Sequence, residues 1–115
     1  MAQEGADALI VSDGPQHVIN QRLIIELAET SRLPAIYAYR GFVELGGLMA
    51  FGIDDRDVGR HAGQAIGQIL NGASPSEIPY YQASKFEFSL NLKTAKALGI
   101  EMPSSLLAQA EEVIE

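Results

Sequence analysis

Few residues in this chain are equipped for covalent chemistry. There are two histidines, His17 and His61, and no cysteine, so no thiolate is available to pair with either ring. Each histidine falls in the first turns of a predicted helix with no second ligand at metal spacing, and each reads as a surface or boundary residue. Ser12-Asp13-Gly14 ends a predicted strand and offers a hydroxyl and a carboxylate to a pocket. The same three residues are equally a turn and helix-start signal. Asp54-Asp55-Arg56-Asp57 gathers carboxylates of the kind that hard cations take, but helix capping accounts for at least two of its three aspartates. Tyr37, Tyr39, Tyr80 and Tyr81 offer rings for stacking, although strand tyrosines are more often packing residues. Gly46-Gly47 and Gly52 fit neither a dinucleotide nor a phosphate-loop spacing. With no nucleophile–base pair and no metal set, the sequence predicts no catalytic residue, no cofactor and no metal, and hence no enzyme.

The elements that carry these residues follow from the apolar pattern. Ala6 to Ser12 predicts a first strand. From Gln16 to Ser31, Ile19, Leu23 and Leu27 recur every four positions with Ile24 and Ala28 beside them, the stripe of one amphipathic helix. Pro34 cannot continue that helix, and Ala35 to Tyr39 predicts a second strand. A short helical stretch, Phe42 to Leu45, precedes Leu48 to Phe51, an unbroken apolar run between glycines that predicts a strand buried on both faces. Asp54 then caps a helix from Asp55 to Asn71 with a buried stripe of Val58, Ala62, Ala65, Ile66, Ile69 and Leu70. Gly59, Gly63 and Gly67 would let a neighbour come close to it.

Past Gly72 the pattern changes. Pro75 and Pro79 bound a linker, and Ile78 to Gln82 is extended. Phe86, Phe88, Leu90 and Leu92 alternate with Glu87, Ser89 and Asn91, which predicts a strand with one apolar and one polar face. A helix over Lys93 to Leu98 stops at Gly99, and a last helix after Pro103 carries Leu106, Leu107, Ala110, Val113 and Ile114 on one side. The expected fold is therefore α/β, a three-layer α/β/α arrangement on a mainly parallel sheet. Residues 1–74 would be a partial lobe, and residues 75–115 a crossover linker, strand and helix arm.

Composition narrows the partners. The 115 residues carry a net charge of −7 with no Lys/Arg cluster, which argues against nucleic acid and anionic membranes. No segment approaches the 18 or so apolar residues of a membrane span. Met1 to Asp7 lacks the basic start and apolar stretch of a secretory signal, so the chain as written is expected in the cytoplasm.

Several motifs are similar to a known family. Ala6-Asp7-Ala8-Leu9, Arg32-Leu33-Pro34-Ala35-Ile36-Tyr37 and Gly46-Gly47-Leu48-Met49 through Gly52 resemble the substrate-binding proteins of a class of ABC uptake transporters. These are the type I periplasmic binding proteins related to tryptophan and tyrosine binders. The likeness continues through Ile69-Leu70-Asn71-Gly72-Ala73-Ser74-Pro75, Leu90 to Gly99, and Pro103-Ser104-Ser105-Leu106-Leu107. It implies a Rossmann-like lobe, an amino-acid-like solute, a membrane permease as partner and a periplasmic location for the full-length proteins. It also implies that this chain matches roughly the last third of such a protein, and that its own solute binding is weak or absent.

Ligands of open α/β sheets sit beyond the carboxyl ends of the strands. Those ends are Ser12, Asp13 and Gly14, then Tyr39 and Arg40, then Gly52 and Asp54, and these seven residues are the expected ligand lip. The apolar face of residues 75–115 leads to the further expectation of a homodimer formed by exchange of that arm. A self-associating module without ligand, and a small α/β enzyme, are the alternatives.

Overall fold

Short apolar runs flanked by turn residues form the sheet, as their spacing predicts. The computed structural model describes residues 5–115, so the leader reading of Met1 to Asp7 falls largely outside it. Strands β1 (Leu9–Val11), β2 (Ala35–Tyr37) and β3 (Met49–Ile53) are joined by helices α1 (Pro15–Ile19), α2 (Gln21–Thr30) and α3 (Arg40–Glu44). Helix α4 (Asp55–Leu70), a 3-10 turn (Pro75–Glu77), β4 (Phe86–Asn91), α5 (Leu92–Leu98), α6 (Ser104–Gln109) and β5 (Glu112–Ile114) complete the chain.

The strands lie in one sheet in the order β1-β2-β3-β4-β5. β1, β2 and β3 are parallel, and β4 pairs in parallel with β5. Between β3 and β4 the Asp54 amide donates to Lys85 O and the Asn91 amide to Leu48 O, both within 2.9 Å. Those pairs run in opposite order along the two strands, so this junction is antiparallel.

Register decides which residues meet. Val11 aligns with Tyr37 and Tyr37 with Ala50, and these three face the helices. Together with Ile25 and Ala28 of α2 and Phe42 and Val43 of α3 they form the core, where the rings of Tyr37 and Phe42 stack at 4.6 Å. One residue earlier, Ile10, Ile36 and Met49 align on the opposite face. Ile10 is 81% exposed and Phe51 55%, so β3 is covered on one face and not, as the unbroken apolar run predicts, on both.

The chain divides into two compact units that do not follow the proline linker: residues up to Gly52 with Glu87–Glu115, and Ile53–Phe86. In the first, the expected helix over 16–31 breaks at Asn20, and burial moves to Ile25 and Ala28, leaving Ile19, Leu23 and Leu27 exposed. The fourfold spacing was that of an outer ridge. In the second, the α4 stripe expected to be buried is uncovered, with Leu70 81% exposed, and nothing approaches the positions of Gly59, Gly63 and Gly67.

The C-terminal third also differs from its pattern. In β4 burial follows position along the strand more than face, and Leu90 of the apolar set is buried together with its polar neighbours. Ser89 and Asn91 are buried, and Phe86 on the other face is half-exposed. Asn91 earns its burial by donating from Nδ2 to Val43 O and accepting at Oδ1 from the Thr94 amide, which caps α5. Leu92 opens α5 and is no longer in the strand. The last helix stops at Gln109, and Val113 and Ile114 lie in β5, because the Glu111 amide donates to Phe88 O and starts a ladder in place of another helical turn. β4 lies inside the chain's own sheet and Leu90 is fully buried there without a second copy, while Phe86 and Val113 stay partly exposed.

Candidate functional site

The carboxyl ends of β1, β2 and β3 finish side by side because Val11, Tyr37 and Ala50 share one register. This brings together, within the first unit, the segments Ser12–Gly14, Tyr39–Arg40 and Gly52 that the sequence singles out. Gly52 is there for space. A Cβ at that position would lie 1.9 Å from the carbonyl oxygen of Ala38, so only glycine lets β3 run this close to the end of β2. Asp54 belongs to the second unit.

Arg40 is already committed. Its Nε donates to Glu44 Oε1 at 2.8 Å and its Nη2 to Glu112 Oε1 at 2.7 Å, so the guanidinium ties α3 to β5. Glu112 Oε2 is buried without a hydrogen-bond partner among the described residues. His17 Nδ1 lies 2.7 Å from Ser12 O; a carbonyl only accepts, so the ring donates there and closes the turn after β1. The ring thus serves the backbone of Ser12 and not its hydroxyl. What remains open on this edge is the Ser12 hydroxyl, the Asp13 carboxylate and the Tyr39 hydroxyl, none of which has a side-chain partner among the described residues. Two hydroxyls and one carboxylate can hydrogen-bond a small polar or zwitterionic solute.

The second unit holds its own polar cluster at the start of α4. Asp54 caps the helix, accepting at Oδ1 from the amides of Arg56 (3.0 Å) and Asp57 (3.2 Å), and its Oδ2 lies 3.2 Å from Lys85 Nζ. Burial works against the Asp54 carboxylate, but these amides and the Lys85 ammonium outweigh it and hold its pKa below the usual value. Asp57, buried, accepts from the Tyr81 hydroxyl and from Arg60. His61 Nδ1 donates to Asp57 O at 2.8 Å while its ring stacks on Tyr81 at 3.7 Å and 5°. Hydrogen bonding from Tyr81 is the main reason that Asp57 titrates low; burial opposes it, and Arg60 and His61 assist. These contacts pin residues 78–85 to α4, and they leave both aspartates engaged with protein groups. Among the described residues no three His, Cys, Asp or Glu are placed to hold a metal ion. Tyr81 and Lys85 were not legible as partners of Asp57 and Asp54, since they lie 24 and 31 positions away with no pattern to connect them.

A family model for ABC transporter substrate binding proteins matches residues 1–114. A tyrosine-binding protein of Clostridioides difficile (strain R20291) is 31% identical over 99 residues, covering 86% of this chain and 27% of that protein. Among solved structures, an ABC domain in complex with L-Trp from Streptococcus pneumonia superposes with a TM-score of 0.84 at 32% identity, over 96% of this chain and 38% of that one. A conserved domain protein from Vibrio cholerae shares the fold with a TM-score of 0.85 at 24% identity, over 96% and 37% of the two chains. The chain thus spans about a quarter of the tyrosine-binding protein and under two fifths of either solved chain. Among the described residues, no helix is long and apolar enough to cross a membrane.

Proposed function

Because the chain belongs to the ABC transporter substrate-binding protein family, we propose that it supplies one wall of a cleft for an amino-acid-like solute. That wall is the carboxyl edge of β1–β3. The carrying observation is that the strand ends bearing Ser12, Asp13 and Tyr39 finish side by side, with no side-chain partner for these three among the described residues, on a fold shared with an L-Trp-bound domain. Asp13 meets the solute ammonium, and the Ser12 and Tyr39 hydroxyls meet its carboxylate or side chain. Gly14 and Gly52 shape the edge, and Arg40 braces it through Glu44 and Glu112. A family role of this kind delivers the solute to an ABC permease in the periplasm.

One wall binds poorly. A small ligand gains affinity when most of its surface is enclosed, and an open edge with three polar groups encloses little. Calorimetric titration of this chain with L-Tyr and L-Trp is expected to show nothing tighter than about millimolar, roughly 4 kcal/mol. At millimolar solute, NMR amide shifts should centre on Ser12–Gly14 and Tyr39 and vanish in Asp13→Asn. Shifts centred elsewhere would remove the assignment, and a micromolar constant would show that this wall suffices alone.

A second reading, self-association to a homodimer, is favoured by exposed apolar side chains. The sequence points to residues 75–115 as the interface, but the most exposed aliphatics lie outside that segment, at Ile10, Ile19 and Leu70. Light scattering behind a sizing column should give twice the chain mass; a monomer at high micromolar concentration rejects this reading.

A further inference from the structure

At the opposite end of the first unit, away from the carboxyl edge, lies a cavity of about 430 Å³ between the end of α2 and the start of α5. Its walls are Glu29, Arg32, Lys93, Thr94, Ala97 and Leu98. The topology fixes its place. Arg32 precedes β2, while Lys93 follows β4, which runs antiparallel to β3 and therefore ends where β3 begins. Thr94 Oγ1 donates to Gly46 O at 2.8 Å, just ahead of β3, and the Thr94 amide is held by Asn91, so this wall is firmly placed.

Two observations single the cavity out. In a chain of net charge −7, it brings together two cations, Arg32 and Lys93, that have no ion pair or side-chain hydrogen bond among the described residues. Glu29 is the one anion on the wall, so the lining carries a net positive charge. Arg32 also has a left-handed backbone with φ 53°, the sole non-glycine among the described residues to do so. It stands where α2 ends, with its amide donating to Glu29 O and the Leu33 amide to Ala28 O. Glycine is the residue that ends a helix this way without strain. Arginine there costs stability that glycine would not, and what it adds is a guanidinium on the cavity wall.

We propose that this cavity binds a compact oxyanion, a phosphate or carboxylate group of a small molecule, through Arg32 and Lys93. The guanidinium fork engages two oxygens, and the lysine ammonium takes a third oxygen of a phosphate or shares one of a carboxylate, beside Ala97 and Leu98. The Glu29 carboxylate repels a second negative group on its own side, so a singly anchored, compact ligand fits better than a polyanion. The site is independent of the solute edge and does not rest on that reading.

The test is an NMR titration of the whole chain with inorganic phosphate and, separately, with acetate, at ionic strength held constant with chloride. Saturable shifts confined to residues 29–33 and 92–98 are expected, and the anion with the lower apparent Kd identifies the source. Lys93→Gln should weaken that Kd at least tenfold, and Arg22→Gln, an exposed cation outside the cavity, should leave it unchanged. Arg32→Gly separates binding from folding: it should melt at a higher temperature than the parent and yet lose the response. Shifts that rise without saturation, or that persist in Arg32→Gly and Lys93→Gln, would overturn the proposal.

Discussion

The Tyr81 hydroxyl donates to Asp57 Oδ2 at 2.5 Å, joining the extended segment after the proline linker to the first turn of α4. This bond moves the titration of both partners, in opposite directions. It is the largest cause lowering the Asp57 pKa and the largest cause raising that of Tyr81.

A carboxyl whose pKa is lower in the folded chain binds its proton more weakly there. Its contribution to stability is complete above the unfolded value of about 3.9 and is lost as pH falls through the lowered one. The melting temperature should therefore drop below about pH 4, with Asp57 and Asp54 acting in the same direction. Tyr81→Phe should flatten that drop by removing the main cause at Asp57. The raised Tyr81 pKa acts oppositely, so its contribution is full below about pH 10 and lost as pH rises further. Thermal melts between pH 2.5 and 7 decide the acid limb; identical profiles for the parent, Tyr81→Phe and Asp57→Asn would show that the bond carries no linkage.

Gly52→Ala tests the close approach at the solute edge. A methyl group 1.9 Å from Ala38 O forces β2 and β3 apart at the point where they must finish together. The expected cost is about 3 kcal/mol by urea unfolding, the upper range for overpacking. Gly63→Ala, at an exposed helix position with nothing nearby, should be neutral or stabilising by up to about 1 kcal/mol. If both variants unfold at the same urea concentration, the steric account of Gly52 fails.

Leu90 and Ile10 separate the covered from the uncovered parts of the sheet. Leu90 is fully buried and Ile10 is 81% exposed. Leu90→Ala should cost about 2–5 kcal/mol, whereas Ile10→Ala should stay within about 0.5 kcal/mol. A large cost at Ile10 would mean that this face is covered in solution, and repeating the melt at several protein concentrations would tell a second copy from the chain itself.

The sequence alone settled what depends on neighbours along the chain. Apolar runs between glycines and prolines placed β1, β2 and β3; Asp54 announced the start of α4, and Gly99 the end of α5 in a left-handed turn. The order of those elements made a parallel α/β sheet the economical outcome, and the motifs from Ala6 to Leu107 carried the family. What lay beyond local reach was decided by tertiary structure. A pattern fixes which residues share a face but not which face is covered, so Ile19, Leu23 and Leu27 looked like a core stripe and are an outer ridge. Ser89 and Asn91 looked solvent-facing until Val43 and Thr94 gave Asn91 its hydrogen-bond partners inside. Val113 and Ile114 prolonged a helical period, but three residues are too few to distinguish helix from strand, and the free edge of β4 captured them. Ionic partners depend most on the fold. Arg40 stands at a strand end as a solute contact would, and only the return of β5, 72 positions later, supplies the Glu112 that occupies it.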